Sequence, residues 1–386
     1  MQVEELRTRL ERYCGFLAGD PGNEHLAGEV ADLNLRLGHF DRAREVLTTA
    51  LLQHTDNPAL LAKLANVAIA ANQPSEATEI LQGLLQAGHD QPHIRYNLSY
   101  ALMLSQRFAE AREILLPIID NAQAPDAPVL LARCLHSLGD LDAAIACLTT
   151  FLVKNPKHGD ALGTLALAQL DASHNEAALT AAEQALEINP HDVWALVTMG
   201  SLALSTQDEQ TATGYFDLAL AHHPQSGRVW SGKGLASMLR FELPKAIEQL
   251  EQAVKYMPHH IGSWHALAWC QILSGNLDEA RKIFEHTMEL DPGNSETHGG
   301  LAVLAMLQNR ADEAETSIKQ AEKLSPGAYS NQQIQNLLRD RNELARVAQS
   351  VKNVLNTQQL PDGEPLQETV VRVVQLLAKS KPPQGK

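Results

Sequence analysis

Residues Gly227-Arg-Val-Trp-Ser-Gly232-Lys233-Gly234 come within one position of a phosphate-binding loop, which reads G-x-x-x-x-G-K and then Ser or Thr. In such a loop the backbone amides converge on phosphate and the final hydroxyl holds magnesium. Gly234 stands where that hydroxyl is required, and the segment falls within an amphipathic helix whose amides are spent on its own ladder. Lys233 is expected to snorkel to solvent beside the small Gly234. The 16 histidines include the pairs His222-His223 and His259-His260, but neighbours in sequence point apart, and no H-E-x-x-H or Cys/His spacing for zinc accompanies them. They are read as solvated turn residues, with no metal. Cys14, Cys134, Cys147 and Cys270 form no C-x-x-C pair and are expected to be free thiols, all but Cys14 inside helices. Neither a G-x-S-x-G elbow nor a glycine-rich dinucleotide fingerprint occurs. No catalytic, cofactor-binding or metal-binding residue is assigned, and the chain is read as a non-enzyme.

The elements that would position any site repeat themselves. Alanine recurs at Ala43, Ala77, Ala111, Ala144, Ala178, Ala212, Ala246, Ala280 and Ala314, in 34-residue steps with a single 33-residue step after Ala111. Twelve residues before each stands a small residue: Ala31, Ala65, Ser99, Ala132, Ala166, Gly200, Gly234, Ala268 and Ala302. Small residues at these places let two helices approach closely. Twelve residues after the later alanines come Pro156, Pro190, Pro224, Pro258, Pro292 and Pro326, each able to stop a helix because it lacks an N–H and clashes with the preceding turn. Leu148, Phe216, Leu250 and Phe284 follow their alanines by four, the spacing of one helical face. Each unit is thus two amphipathic helices and a turn. Such a unit cannot bury its apolar face alone and must stack on its neighbours as a solenoid.

This pattern resembles the tetratricopeptide repeat over about residues 24–328. Trp230 and Trp264 occupy that family's aromatic column, Met199-Gly200 and Leu267-Ala268 its Leu-Gly column, and Phe216 with Ala219 its later pair. The family's tyrosine column departs, reading Asn34, Ala68, Leu102, Leu135, Gln169, Ala203, Ser237, Gln271 and Ala305, and the first three units lack the closing proline. The resemblance implies an all-α fold: a right-handed α-α superhelical solenoid of about nine helix-turn-helix repeats with helical caps. The repeats start near residues 24, 58, 92, 125, 159, 193, 227, 261 and 295.

Residues 1–23 are expected to form an N-terminal capping helix carrying Leu6, Leu10 and Leu17. Residues 329–386 are expected to hold C-terminal capping helices and a basic tail, with a long helix over 332–355, a linker to Pro365 and a last helix over 364–379. That last helix presents Leu366, Val370, Val374 and Leu377 on one face. It either docks on the end of the array or occupies a groove, in this chain or in a second copy, and the end helices offer a route to a homodimer. Hydrophobic content of 44% with only 4% aromatics suits helices packed through Leu and Ala. Asp and Glu number 46 against 31 Lys and Arg, so the formal charge of −15 opposes a phosphate-binding footprint and nucleic acid is not expected as a partner. With no apolar run resembling a signal peptide and no 18-residue apolar stretch, a cytoplasmic protein without membrane insertion is expected.

What the resemblance leaves is the groove. In tetratricopeptide repeats the second, fifth, sixth, ninth, twelfth and thirteenth positions of each unit line the concave side. In the second to fourth units these include Lys63, Asn66, Asn97, Tyr100, Arg133 and His136, a polar set able to read a peptide backbone or grip a carboxylate. Some family members clamp the C-terminal carboxylate of chaperones with lysine and asparagine. Asn66 and Asn97 match that clamp, but Ala62, Asp126 and Leu130 stand where its basic residues belong. Later units place Leu167, Trp194, Met238, His265, Trp269, Val303 and Met306 on concave positions, with Gly163, Gly232, Gly262, Gly299 and Gly300 expected to open space between them. The function expected is a scaffold or adaptor that holds a peptide or partner protein in the concave groove during assembly of a larger complex. Alternatives are a targeting module acting with a separate glycosyl- or sulfotransferase, or a ligand-sensing regulator.

Overall fold

The computed structural model describes residues 2–206, 208–308 and 310–326. The expected segments 332–355 and 364–379 lie outside the described residues. Among the described residues there are nineteen α-helices and one 3-10 turn, and no strand. The chain divides into two compact units, residues 1–188 and 189–386.

The first unit opens with α1 (Gln2–Gly19), which lays Leu10 against Val30 and Leu33, with Leu6, Tyr13 and Leu17 at the margin. Helix pairs follow: α2 (Glu24–Arg36) with α3 (Phe40–Leu51), α4 (Pro58–Ala70) with α5 (Pro74–Gln86), and α6 (Pro92–Leu104) with α7 (Phe108–Leu115). Helix α7 continues into the 3-10 turn Leu116–Ile118. Next come α8 (Ala127–Ser137) with α9 (Leu141–Lys154) and α10 (Gly159–Asp171) with α11 (Asn175–Ile188). The second unit holds α12 (Val193–Ser205) with α13 (Glu209–His222), α14 (Gly227–Leu239) with α15 (Leu243–Tyr256), α16 (Ile261–Leu273) with α17 (Leu277–Leu290) and α18 (Ser295–Leu307) with α19 (Ala311–Leu324).

Local chemistry fixes these boundaries. The Asn57 side chain accepts from the amides of Ala59 and Leu60 while Pro58 supplies a first-turn residue that needs no donor. Asn23, Asp192 and Asn294 cap α2, α12 and α18 in the same way. His158 and His260 do so through imidazole Nδ1, which accepts from Ala161 and Ser263 at 3.1 Å. From α9 onward each second helix ends two residues before the proline that stops it. Between the two helices of a repeat the chain passes through the left-handed region, at Gly38, Asn72, Gln106, Gly139, Ser173, Phe241 and Gly275, with φ between 57° and 82°. This column keeps the repeat step although its residue types vary.

All nine periodic alanines are completely buried. They sit where first and second helices cross, and the small column opposite them is buried too. Above that crossing a larger side chain fills the space between successive first helices. A Cβ added at Gly200 would stand 2.6 Å from the ring of Phe216, and one at Gly232 would stand 2.5 Å from the same ring. Gly300 has the same relation to Phe284 at 2.4 Å, and Gly234 to Leu250 at 2.6 Å. Gly232 and Gly300 therefore do not open the groove: a buried phenylalanine already occupies the volume that a side chain would take. Alanine favours a helix interior by about 1 kcal/mol over glycine, but overpacking a rigid ring costs about 1–3 kcal/mol. Gly200→Ala should accordingly lower the urea midpoint, a net loss of up to about 2 kcal/mol, and Phe216→Leu in the same chain should recover most of it. A Gly200→Ala variant as stable as the parent would show that the ring has somewhere else to go.

Candidate functional site

The first helices of the first unit are joined by polar side chains about one repeat apart. Lys63 lays its stem over Gly28 and pairs with Asp32. Asn97 Nδ2 donates to Asn66 Oδ1 at 2.7 Å. Arg133 donates to the carboxylate of Asp160 and, at 3.4 Å, to the Thr164 hydroxyl, and His136 Nε2 lies 2.8 Å from Asp171 Oδ2. Asp32, Asn66 and Arg133 are ninth positions, whereas Lys63, Asn97 and Thr164 are the sixth positions of the units that follow. The expected polar readers are thus largely committed to one another. Paired in this way, Asn66 keeps an N–H2 and Asn97 a carbonyl with which to meet a peptide backbone. Tyr100 is half-buried, as is Tyr96 one turn earlier, whose hydroxyl is pushed above its usual range chiefly by burial. These ion pairs are partly exposed, so each contributes at most about 1 kcal/mol and serves mainly to fix register.

In the second unit α12 keeps serines at these positions, Ser201 and Ser205, but in α14, α16 and α18 they are apolar. Ninth-position residues Leu235, Trp269 and Val303 and thirteenth-position residues Leu239, Leu273 and Leu307 form two columns of three, spaced by 34 residues along the chain. Within each helix the two members stand four apart and share a face. None of the six is buried; Leu235 is 37% exposed and the other five are intermediate. Trp269 meets Phe284 edge-on, at 6.2 Å between centroids, while keeping part of its surface open. The equivalent pairs in the first unit read Asp32/Arg36, Asn66/Ala70, Tyr100/Leu104, Arg133/Ser137 and Leu167/Asp171. A six-residue apolar face is therefore particular to α14, α16 and α18.

Several expected groove residues turn inward instead. Met238 is 7% exposed and His265 8%, and Leu167 and Met306 are buried as well. His265 Nε2 lies 2.9 Å from the Thr297 hydroxyl and its Nδ1 3.7 Å from Glu296, whose carboxyl the imidazole hydrogen bond holds below its usual range. These residues join neighbouring first helices and offer little to a partner. Trp194 is half-buried near the start of α12. Leu235, Leu239, Leu273 and Leu307 were the overlooked members of the face. Their signal was the same 34-residue step, on the ninth and thirteenth positions rather than the twelfth.

The near-phosphate loop lies inside α14, where its amides belong to the helix. Lys233 does not run free to solvent: its ammonium pairs with Asp217 and lies 5.7 Å from the centre of the Trp230 ring. His260 is a helix cap, whereas His222 stacks against His191 with ring centres 3.8 Å apart. Among the described residues no three His, Cys, Asp or Glu side chains converge as a metal site would require. The Trp230 and Trp264 indoles donate at 2.8 Å to the carbonyls of Pro224 and Pro258, stapling the turns that precede their helices. No described helix is long and apolar enough to cross a membrane.

Burial pushes the thiols of Cys134 and Cys270 up to about 11 and about 12, whereas Cys14 is exposed. A raised thiol pKa leaves almost no thiolate at pH 8, and thiolate is the reactive form. Native protein at pH 8 should therefore label rapidly at Cys14 with a thiol-specific disulfide reagent, while Cys134 and Cys270 wait for unfolding. Mass spectrometry of the labelled peptides checks this, and fast native labelling at either buried thiol would contradict the packing described.

Two family models described as tetratricopeptide repeat match the sequence, one over residues 34–96, 68–125 and 240–289, the other over 130–193 and 265–329. No curated protein matches it in sequence. Among solved structures, the chain is similar to one in the APC/C hetero-tetramer Cut9-Hcn1, with 13% identity and a TM-score of 0.65, covering 82% of this chain and 64% of that one. The chain thus spans less than two thirds of that protein. It is also similar to the human IFIT1 dimer with m7Gppp-AAAA, with 16% identity and a TM-score of 0.60, covering 98% of this chain and 94% of that one. At such identities the likeness is one of fold.

Proposed function

Because this chain belongs to the tetratricopeptide repeat family, whose members hold protein partners, we propose that it is a scaffold whose contact surface is the apolar face on α14, α16 and α18. The observation that carries this reading is the two columns Leu235/Trp269/Val303 and Leu239/Leu273/Leu307, left part-exposed on helices whose opposite faces are fully packed. Solvent contact for six apolar side chains on adjacent helices is a standing cost that a partner relieves, at about 25 cal/mol for each Å² covered. Trp269 is the anchor, since a large aromatic already held by a neighbouring ring loses little entropy on binding. A partner that suits this surface presents an amphipathic helix or a short apolar segment.

The polar first helices of the first unit act differently in this reading. Their side chains hold adjacent repeats in register and present amide groups at Asn66 and Asn97 as a secondary contact for extended backbone. RNA is not proposed: the human IFIT1 dimer carries m7Gppp-AAAA, but a chain with 46 acidic and 31 basic residues repels phosphodiesters.

A Trp269→Ala, Leu273→Ala double variant that keeps the helical circular dichroism of the parent should lose partner affinity by about tenfold or more, since truncating a central aromatic anchor removes over 1.4 kcal/mol of binding. The affinity of a co-purified partner, measured by calorimetry against both chains, provides the check. A partner that binds the double variant as tightly as the parent, yet is lost with Asn66→Ala and Asn97→Ala, would move the contact surface to the first unit and overturn the reading.

A further inference from the structure

We infer that a pocket between α15, α16 and α17 is a binding site for a lysine side chain carried by a partner protein. The pocket uses none of the six residues of the apolar face, so it is a second contact point beyond that surface.

Its volume is about 330 Å³, at the small end of the range for ligand cavities. Val254, Leu267 and Ile283, all buried, make the apolar part of its lining, and Trp264 adds an indole ring. Glu251 from α15 and Glu279 from α17 are exposed at its margin. The indole is fixed in place: its N–H donates to the Pro258 carbonyl at 2.8 Å, and His286 meets the ring edge-on with centroids 4.7 Å apart. Among the described residues Glu251 has neither an ion pair nor a hydrogen bond. Glu279 pairs only with the exposed Lys282 on its own helix, an interaction that water weakens. Lys255 also stands at the margin, but its ammonium lies 5.2 Å from the centre of the Tyr256 ring.

One repeat earlier the same arrangement holds a lysine. Asp217, Trp230 and Lys233 precede Glu251, Trp264 and Leu267 by 34 residues each. The two indoles are seated alike, since Trp230 donates to the Pro224 carbonyl as Trp264 does to that of Pro258. Lys233 donates to the Asp217 carboxylate, its ammonium lies 5.7 Å from the centre of the Trp230 ring, and its side chain is only 18% exposed. The later junction keeps the carboxylate and the indole but has Leu267 in place of the lysine. A lysine entering from outside can therefore lay its stem on Val254 and Ile283 and bring its ammonium to Glu251 beside the Trp264 ring. Glu279 stands where the earlier repeat has Lys245, which gives the pocket a second carboxylate in place of a cation. The formal charge of −15 on the whole chain draws a basic segment towards it.

The test follows the indole N–H resonance of Trp264, assigned with Trp264→Phe, in the full chain labelled with 15N-tryptophan and titrated with acetyl-Gly-Lys-Gly-amide. The expected result is a saturable shift with a dissociation constant of about a few millimolar, while the Trp230 indole stays in place. A norleucine peptide, or the Glu251→Gln chain with the lysine peptide, should bind at least about fivefold more weakly. Leu267→Lys, which rebuilds the earlier junction, should abolish binding. The inference is overturned by no shift at peptide concentrations up to about 50 mM, or by unchanged affinity for norleucine or in Glu251→Gln. Tighter binding of n-butylammonium than of the peptide would make this a small-amine site and overturn the assignment to a protein lysine. A several-fold gain in Lys255→Met would make Lys255 the pocket's own occupant and overturn it as well.

Discussion

Everything in the second unit depends on how much room a side chain on one helix leaves for the next. The ring of Phe216 reaches both Gly200 in its own repeat and Gly232 in the following one, and Phe284 reaches Gly300 across the same kind of junction. Leu250 takes the same volume against Gly234. At these junctions a side chain on one helix fills the space that a glycine on the next leaves open. Once these side chains fill the space between helices, the ninth and thirteenth positions of each first helix are left facing outward. Which surface is open for binding follows from where the phenylalanines sit.

The first unit meets the same geometric demand with polar groups. The ninth and sixth positions of successive first helices touch in the first unit, as Asp32 with Lys63 and Asn66 with Asn97 show. Where those positions are polar, bonds between repeats consume them, and what remains for a ligand is the unused half of each amide. Where they are apolar there is no directional bond to consume the side chain, and its outer surface stays available. Stability in such arrays is close to a sum of nearest-neighbour terms, so each junction can change character without disturbing those beyond it.

Much of this was legible in the sequence because packing between helices is strict. The periodic alanines are completely buried, and their column declares itself at once. The left-handed turn column was hidden: Asn72, Gln106, Ser173 and Phe241 adopt positive φ because flanking helices force it, so glycine is not needed as a marker. Groove positions were harder still. Met238 and His265 sit one helical step from the open face, and a register uncertainty of one residue separates a core side chain from a contact. Sequence alone makes His260 a solvated turn residue, whereas its Nδ1 accepts from Ser263 and caps α16. The segments expected at 332–355 and 364–379 fall beyond the described residues.

The tryptophans are distributed in one further telling way. Trp194, Trp230, Trp264 and Trp269 all belong to residues 189–386. Two are stapled to proline carbonyls and one leans on a phenylalanine ring, so their emission is tied to intact turns and junctions. Indole fluorescence is consequently blind to the first 188 residues, whereas far-ultraviolet circular dichroism weighs every helix alike. The molecule carries its own spectral partition: any interval between the two melting curves is a direct reading of how independently its two units unfold.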